Sequence, residues 1–352
     1  MKTSDLDYIL PEEQIAQTPA TPRESAKLLA INRAKKTRQN LHVSDLSSFF
    51  SANDCLVLNV TSVLRARLYG RLTRTGSSRE VFLLRRSDVF KVRPLQGSDL
   101  NAWRVLIRGH VKLGERIIFT EGVSATIDKA NDDGTFFITF SSNPEKFDAF
   151  LAQQGHVPVP PYIHNEPTAE DYETVYADPK ERRSVAAPTA GFHITNLMLE
   201  KLKQKGVQIE KVVLDVGLGT FRPVRTENME DHKIHAEKIY VSEETADRIN
   251  EAKKVGKRIV AVGTTTLRVL ESVANEDGTI KSYTGDTSLF ITPGYKFKVV
   301  DALLTNFHLP KSSLLALVAS FIGSVDETIA IYNEAVKKEY RFFSFGDAMW
   351  IE

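Results

Sequence analysis

Short apolar runs separated by turn residues dominate the segment 55–141. Runs of β-branched or aromatic residues lie at 56–58, 81–84, 103–107, 116–119, 123–127 and 135–140. Turn-forming residues separate several of these runs, at 75–78, 113–115 and 131–134. Because this spacing is typical of consecutive antiparallel strands, it predicts a barrel or sandwich of about six strands. A closed barrel would leave no strand edge exposed.

In the rest of the chain, the spacing of apolar residues predicts the mixture of strands and longer helices that is typical of an α/β protein. The pattern predicts strands over 27–32 and 258–262, and helices over 144–154, 196–206, 242–255, 314–322 and 326–338. Ser242, Ser312 and Asp326 are the predicted N-caps of three of these helices. The strand 258–262 runs into Gly263-Thr-Thr-Thr266 and a further helix. Such strand–turn–helix units carry ligand sites at the carboxyl ends of their strands.

Composition and charge narrow the class of protein. The chain has 352 residues, 42% hydrophobic and 26% charged, which is ordinary for a soluble protein of two domains. We find no apolar run of about 20 residues and no signal peptide, so we expect no membrane contact. A single cysteine, Cys55, fits a reducing cytoplasm. Although the net charge is only +1, Lys and Arg exceed Asp and Glu between Val57 and Arg116, as phosphate binding requires.

Two runs rich in small residues stand out near the middle of the chain. They are Val185-Ala-Ala-Pro-Thr-Ala-Gly-Phe-His193 and Leu214-Asp-Val-Gly-Leu-Gly-Thr-Phe-Arg-Pro-Val224. Glycine lets backbone amides approach a ligand closely, and isolated functional side chains stand beside each glycine. The alternative is that each run forms a tight turn or β-bulge in an ordinary sheet.

Six further segments carry a resemblance that spans nearly the whole chain. They are 10–17 (LPEEQIAQ), 155–163 (GHVPVPPYI), 172–176 (YETVY), 262–266 (VGTTT), 304–310 (LTNFHLP) and 340–349 (YRFFSFGDAM). Together with the two runs, they resemble the S-adenosylmethionine:tRNA ribosyltransferase-isomerase family of the queuosine pathway.

This resemblance implies both a fold and a reaction. The fold is an α/β (mixed α+β) main domain, residues 1–55 and 151–352, into which an antiparallel β-barrel, residues 56–150, is inserted as the expected tRNA contact. The reaction transfers and isomerises the ribosyl part of S-adenosylmethionine onto 7-aminomethyl-7-deazaguanine at the wobble position of the tRNA anticodon. It gives epoxyqueuosine and releases adenine and methionine. We expect a cytoplasmic monomer that uses S-adenosylmethionine as co-substrate and needs no metal.

Such a reaction needs a base for a C5′ proton and an acid near the departing adenine, and each typically contributes about 10²–10⁴-fold. His193 is the first candidate, because it follows a run of small residues; a packed core histidine is the alternative. His308 is the second, unless it only caps the turn before Pro310. Glu271 is a third candidate, with the alternative of a solvent-exposed pair with a neighbouring arginine.

Further residues are predicted to bind the two substrates. Asp347 either pairs with Arg341 or serves the sulfonium as a further catalytic group. The residues predicted to bind S-adenosylmethionine are Thr189, Ala190, Gly191, Gly217, Gly219, Thr220, Arg222, Gly263, Thr264, Thr265, Thr266, Arg268 and Asn306. Those predicted to bind tRNA are Arg65, Arg67 and Arg71.

Some positions leave alternatives open. His232, His235 and Glu237 resemble a metal site, but zinc sites usually need a third firm ligand and a second shell, so we predict no metal. Several signature positions differ from the family pattern, namely Val60, Ser62, Arg65, Asp215 and Thr292. A diverged paralogue is therefore the alternative, either a non-catalytic RNA-binding protein or an enzyme with another acceptor.

Overall fold

Ten strands precede the first α-helix in the described chain, and strands and helices are interspersed after it. The computed structural model describes residues 1–86, 101–160, 162–165, 167–217, 224–232, 234 and 236–352. The strands are β1 (Lys27–Asn32), β2 (Thr37–His42), β3 (Asp54–Asn59), β4 (Ser62–Val63), β5 (Arg67–Leu72), β6 (Ser78–Arg86), β7 (Asn101–Arg108), β8 (Arg116–Ile118), β9 (Ser124–Ala130), β10 (Phe136–Phe140), β11 (Arg182–Ser184), β12 (Gln208–Leu214), β13 (Glu237–Val241), β14 (Arg258–Val262), β15 (Tyr283–Thr287), β16 (Ala302–Asn306) and β17 (Ala348–Ile351). The α-helices are α1 (Pro144–Gln154), α2 (Asn196–Gln204), α3 (Glu243–Lys254), α4 (Gly263–Ser272), α5 (Ser313–Ile322) and α6 (Val325–Lys337).

The chain divides into two compact units. Met1–Ser62 and Pro160–Glu352 form one unit, and Val63–Val159 form the other. The first unit is built on a nine-stranded sheet in the order β15-β13-β12-β3-β14-β16-β17-β1-β2. Its four central strands, β12, β3, β14 and β16, run parallel, so their carboxyl ends meet at one edge. A mixed α/β fold is thereby confirmed.

Alternation along β3 explains how both faces of this sheet become buried. All six of its residues are buried. Cys55 and Val57 belong to the core on one face, which includes residues of α3 to α6, whereas Leu56 and Leu58 belong to the core on the other face, which includes α2. A strand that is covered on both faces reads as an unbroken apolar run.

The second unit contains the predicted barrel. Six antiparallel strands close in the order β10-β7-β6-β5-β8-β9. Aromatic side chains of α1 pack on barrel residues: the Phe147 ring lies 4.0 Å from that of Phe140 and 5.8 Å from that of Trp103 between centroids. The helix therefore belongs to this unit.

Two details of the strand assignment need correction. The run 56–58, predicted as a barrel strand, lies in β3 at the centre of the large sheet, paired with β12 and β14. The barrel instead uses β5, whose alternating arginines disguise it as a polar segment. The predicted domain boundaries, at 55/56 and 150/151, accordingly fall inside β3 and α1.

Helix caps follow the sequence closely. Ser242 and Ser312 accept hydrogen bonds from the backbone N–H groups of Thr245 and Leu315, both at 3.1 Å, as N-capping predicts. The prediction that Asp326 caps the last helix was wrong, because Ser324 accepts the capping bond from Glu327 N at 3.2 Å. Asp326 instead lies in the first turn, where its charge suits the helix dipole.

Candidate active site

A cleft lies at the carboxyl ends of β14 and β16 in the first unit. It encloses about 660 Å³, part of which is open solvent. It is lined by Tyr162, Ala187, Pro188, Thr189, Ala190, Val216, Gly263, Thr264, Thr265, Thr305, Asn306, His308, Leu309, Ser312, Leu314, Phe343 and Ser344. The cleft thus brings together parts of both small-residue runs and of four of the six signature segments. A cleft at this edge is where open α/β sheets bind ligands.

The turn from β14 into α4 forms one wall. Gly263 has φ +87°, a conformation that side chains disfavour, so glycine is needed where the strand turns into the helix. Thr264 and Thr265 line the cleft, as predicted. The hydroxyl of Thr266 instead donates to Val262 O at 2.6 Å, so this third threonine serves the helix and not the cleft.

Asn59 connects three of the elements around the cleft, although the sequence pattern did not indicate it as a site residue. Its Oδ1 accepts from Leu214 N at 3.0 Å and from Thr61 N at 3.2 Å. Its Nδ2 donates to Leu214 O at 3.2 Å and to Thr265 Oγ1 at 3.4 Å. The available signal was a polar residue that directly follows the apolar run of β3. Fully buried, this amide holds the ends of β3 and β12 against the start of α4.

The first small-residue run forms a 3₁₀ turn, Thr189–His193, beside the cleft. Thr189 and Ala190 line the cleft, as predicted. A Cβ on Gly191 would lie 2.0 Å from Tyr176 Oη and 2.7 Å from Thr174 Cγ2. Close packing against these two side chains, rather than contact with a ligand, is therefore what requires glycine here.

His193 ends this turn and is buried, with 4% of its surface exposed. Burial lowers its pKa from 6.5 to about 4, the charge of Arg341 contributes in the same direction, and Asn306 opposes the shift. The effect of Asn306 indicates that its side chain lies close to the imidazole, although neither His193 Nε2 nor Asn306 Oδ1 makes a hydrogen bond of normal geometry to a described residue. His193 is neutral at pH 7.

His308 lies in the wall of the cleft and is half-buried. Its Nε2 is 3.0 Å from Thr305 Oγ1, and its backbone N–H donates to Tyr332 Oη at 3.2 Å. Burial lowers its pKa from 6.5 to about 3, so this imidazole is also neutral at pH 7. A neutral imidazole at a cleft wall accepts protons or hydrogen bonds more readily than it protonates a leaving group.

Arg268 and Glu271 are both buried, so the alternative of a solvent-exposed pair was wrong. Arg268 forms an ion pair with Glu237 through Nη1 and donates from Nε to Leu289 O at 3.1 Å. The other oxygen of Glu237 accepts from Gly217 N at 2.9 Å. Arg268 thereby supports the base of the second small-residue run from behind.

Glu271 has a different set of contacts. Its carboxylate accepts hydrogen bonds from Tyr295 Oη at 3.1 Å and from the backbone N–H groups of Lys298, Val299 and Val300 at 2.9, 3.0 and 3.1 Å. Four donors saturate the carboxylate at the end of α4, and Glu271 does not line the cleft. The structure therefore favours a structural role over the predicted catalytic one.

Asp347 also serves the backbone. Its Oδ1 accepts from Lys27 N at 2.9 Å and its Oδ2 accepts from Arg341 N at 2.7 Å. The guanidinium of Arg341 lies 3.5 Å from Oδ1. Of the two predicted roles of Asp347, the structure shows the pairing with Arg341. The aspartate does not line the cleft.

Three predicted residues of the second small-residue run, Gly219, Thr220 and Arg222, lie outside the described residues. His235 of the metal alternative lies outside them too. Within the described ranges, no group of three His, Cys, Asp or Glu side chains is arranged to hold a metal ion.

The predicted tRNA-binding arginines lie in the barrel unit and differ in their contacts. Arg65 donates to Ala152 O at 2.8 Å, and Arg67 lies 3.3 Å from Glu80. Arg71 is exposed and donates to Gly76 O at 3.3 Å. Arg71 is therefore the best placed of the three to meet a phosphate.

Comparison with known proteins gives one consistent result. The family model described as "Queuosine biosynthesis protein" matches residues 3–351. The S-adenosylmethionine:tRNA ribosyltransferase-isomerases of Thermotoga petrophila and Clostridium kluyveri are 46% and 44% identical, with 100% of this chain and of each relative covered. A crystal structure of S-adenosylmethionine tRNA ribosyltransferase from Thermotoga maritima matches with a TM-score of 0.56 and 36% identity, over 99% of this chain and 100% of that one.

The chain belongs to the queuosine biosynthesis protein family. The family that the motifs indicated is therefore confirmed. The predicted class of enzyme, a transferase and isomerase, is also the class that the relatives' names state.

Two of the positions that differ from the family pattern, Ser62 and Val60, are buried in this fold. Ser62 is fully buried, donates to Glu173 Oε1 and lies 3.4 Å from Arg182 Nε. Val60 is buried in the core of the large sheet. No single helix of the described ranges is long and apolar enough to cross a membrane. Taken together, α5 and α6 have the length and composition of a membrane-spanning segment, but the two helices are bent by 111° relative to each other.

Proposed function

We propose that this protein transfers and isomerises the ribosyl moiety of S-adenosylmethionine onto 7-aminomethyl-7-deazaguanine at the wobble position of a tRNA anticodon, giving epoxyqueuosine, adenine and methionine. The observation that carries the proposal is the cleft at the strand ends, which gathers the family's signature segments around neutral histidines. Relatives of the same length bear the name of this activity. We further propose that the protein works as a cytoplasmic monomer without a metal.

In this proposal, S-adenosylmethionine occupies the cleft. Thr264 and Thr265 offer hydroxyl groups to it, and the N-terminus of α4 offers backbone amides to its carboxylate. Thr189, Ala190 and Gly263 form the adjoining wall, and Gly191 supports that wall from behind. The segment that contains Gly219, Thr220 and Arg222 follows Gly217, whose position is supported by Glu237 and Arg268.

Proton transfer falls to the histidines. The sulfonium acidifies the C5′ hydrogens of the co-substrate, and an imidazole must be unprotonated to accept one of them. His308 takes this role in our proposal because it lines the cleft and burial keeps it neutral. His193, which lies beside Asn306, contacts the purine in this proposal.

The barrel unit is the proposed tRNA contact. Arg71 is exposed on β5, and Arg65 and Arg67 lie nearby on the same segment. Each phosphate contact adds about 0.7–0.9 to the slope of log affinity against log salt. Replacing Arg71 by Glu should weaken tRNA binding and lower that slope, whereas S-adenosylmethionine binding stays unchanged. Lys36→Glu, at an exposed lysine of the other unit, is the matched charge control.

The experiment that tests the function is a turnover assay with purified protein, S-adenosylmethionine and tRNA that bears the aminomethyl-deazaguanine base. Mass spectrometry of the digested nucleosides detects epoxyqueuosine, and chromatography of the supernatant detects adenine and methionine. His308→Gln should lower kcat by about 10²–10⁴-fold, as loss of a proton acceptor does. His42→Gln, at an exposed histidine of the same unit, should not.

Each product pattern has a distinct meaning. Epoxyqueuosine with an equal amount of free adenine supports the proposal. Adenine release without modified tRNA would replace the proposed acceptor with another one. Neither product from folded protein would favour the non-catalytic RNA-binding alternative.

A further inference from the structure

Two buried polar atoms beside the cleft lack a hydrogen-bond partner of good geometry among the residues that the structure describes, although their side chains lie close enough to influence each other. They are Nε2 of His193 and Oδ1 of Asn306. The two residues are 4% and 3% exposed. Buried polar groups of native proteins are normally paired in good geometry, so these two neighbouring atoms retain hydrogen-bonding capacity that a ligand or an ordered water can complete.

The orientation of the Asn306 amide follows from its own contacts. Nδ2 donates to Phe343 O at 2.7 Å and lies 3.4 Å from Ser344 O. A flipped amide would turn its oxygen towards two carbonyl oxygens, which is unfavourable, so Oδ1 is the atom left unpaired. Because Asn306 lines the cleft, it offers a fixed hydrogen-bond acceptor to whatever binds there.

The His193 imidazole supplies the complementary group. It is neutral, because burial and the charge of Arg341 disfavour its protonated form. A neutral imidazole carries one N–H donor and one acceptor nitrogen. With the proton on Nε2, the pair combines an acceptor oxygen with a donor nitrogen.

An aromatic surface adjoins this pair. The rings of Tyr162 and Phe343 both line the cleft and stack at 4.3 Å with an interplanar angle of 24°. The Tyr162 hydroxyl lies 3.0 Å from Ser344 Oγ, which holds the ring in place. Neutral polar groups beside an aromatic face suit a flat, uncharged heterocycle.

We propose that Asn306 and His193 together read the amino edge of the adenine ring of S-adenosylmethionine. Asn306 Oδ1 accepts from the exocyclic amine, and His193 Nε2–H donates to the adjacent ring nitrogen. This assignment rests on the proposed function and makes the pair the determinant of specificity for an aminopurine.

The test compares binding of S-adenosylmethionine with binding of S-inosylmethionine, in which an oxygen replaces the amine, by isothermal titration calorimetry of the full-length protein without tRNA. The analogue reverses both contacts and turns a carbonyl oxygen towards Asn306. We expect the wild-type protein to bind it about 100-fold more weakly or worse, because a site built for a hydrogen bond rejects the analogue that lacks it.

Variants then assign the discrimination to the pair. His193→Leu and Asn306→Ala should each reduce the ratio of the two affinities by about 10-fold. His193→Leu leaves the contacts of Asn306 Nδ2 intact, so it remains informative if Asn306→Ala does not fold. Thr189→Val, which alters another cleft residue, should leave the ratio unchanged.

The outcomes separate this inference from the proposed function. Equal affinities for both compounds, with turnover intact, would overturn the inference alone. The inference alone would also be overturned if His193→Leu left the ratio of the two affinities unchanged and instead raised the KM for tRNA. The pair would then bind the acceptor base and not the adenine. A folded protein that binds neither compound and gives no product would overturn both.

Discussion

Glu271 offers the sharpest test of the structure against the sequence, because the sequence predicts a catalytic carboxylate and the structure indicates a structural one. Oε2 accepts from Tyr295 Oη and Lys298 N, and Oε1 accepts from Val299 N and Val300 N. The substitution Glu271→Gln preserves the shape of the side chain but replaces one oxygen with an NH₂ group. Two of the four donors then face a donor.

The magnitude follows from those two lost contacts. Hydrogen bonds to a charged group contribute about 1.5–3 kcal/mol each, so Glu271→Gln should lower the free energy of unfolding by about 3–6 kcal/mol. Tyr295→Phe removes a single donor and leaves the carboxylate with three, so it should lower the free energy of unfolding by about 1.5–3 kcal/mol. This graded pair remains useful if the larger change prevents folding.

Urea unfolding followed by circular dichroism measures the stability of both variants, and the turnover assay gives kcat of the folded protein. A structural role predicts a lower urea midpoint with little change in kcat. A catalytic role predicts the reverse, unchanged stability with kcat lower by about 10²–10⁴-fold. That second result would refute our interpretation of Glu271.

Three further predictions follow from the buried groups of the same unit. Burial lowers the pKa of His193 to about 4 and of His308 to about 3, so the unfolded chain takes up protons first as the pH falls below 6.5. Each histidine should therefore lower the free energy of unfolding by about 2 kcal/mol at pH 5 relative to pH 8 in urea titrations, and His193→Gln should remove its share. Glu237→Gln should lower stability by about 3–5 kcal/mol by leaving Arg268 buried without its partner; a double-mutant cycle with Arg268→Met that gives no coupling energy would contradict the pairing. Gly191→Ala places a Cβ 2.0 Å from a tyrosine hydroxyl, so it should lower stability by about 1–3 kcal/mol, and an unchanged melting temperature would disprove the close contact.

Local patterns predicted those parts of the fold that depend on near neighbours in the chain. The predicted strands 27–32 and 258–262 coincide with β1 and β14. Ser242 and Ser312 are the N-caps of α3 and α5, as predicted. Period and capping chemistry act over a few residues, so both are visible without knowledge of the fold.

Local patterns failed to assign two strands correctly. The run 56–58 has the composition of any buried strand, and only the sheet order assigns it to the large sheet and not to the barrel. β5 shows the opposite case, because its arginines alternate with buried residues and the apolar run is interrupted. The first error concerns which strand pairs with which, a property of contacts between distant residues. The second arises because polar residues on one face of β5 interrupt its apolar run.

The sequence by itself determined the family, the α/β class with a barrel, and the segments from which the site is built. Only the tertiary structure decided which side chains of those segments reach the cleft. Thr264 and His308 do so, whereas Glu271 and Asp347 are occupied by backbone donors, and Asn59 emerges as the residue that holds the strand ends together. The physical reason is that a carboxylate or amide has the same chemistry wherever it stands in the sequence. Its partners come from residues far away in the chain, and the order of the strands selects them.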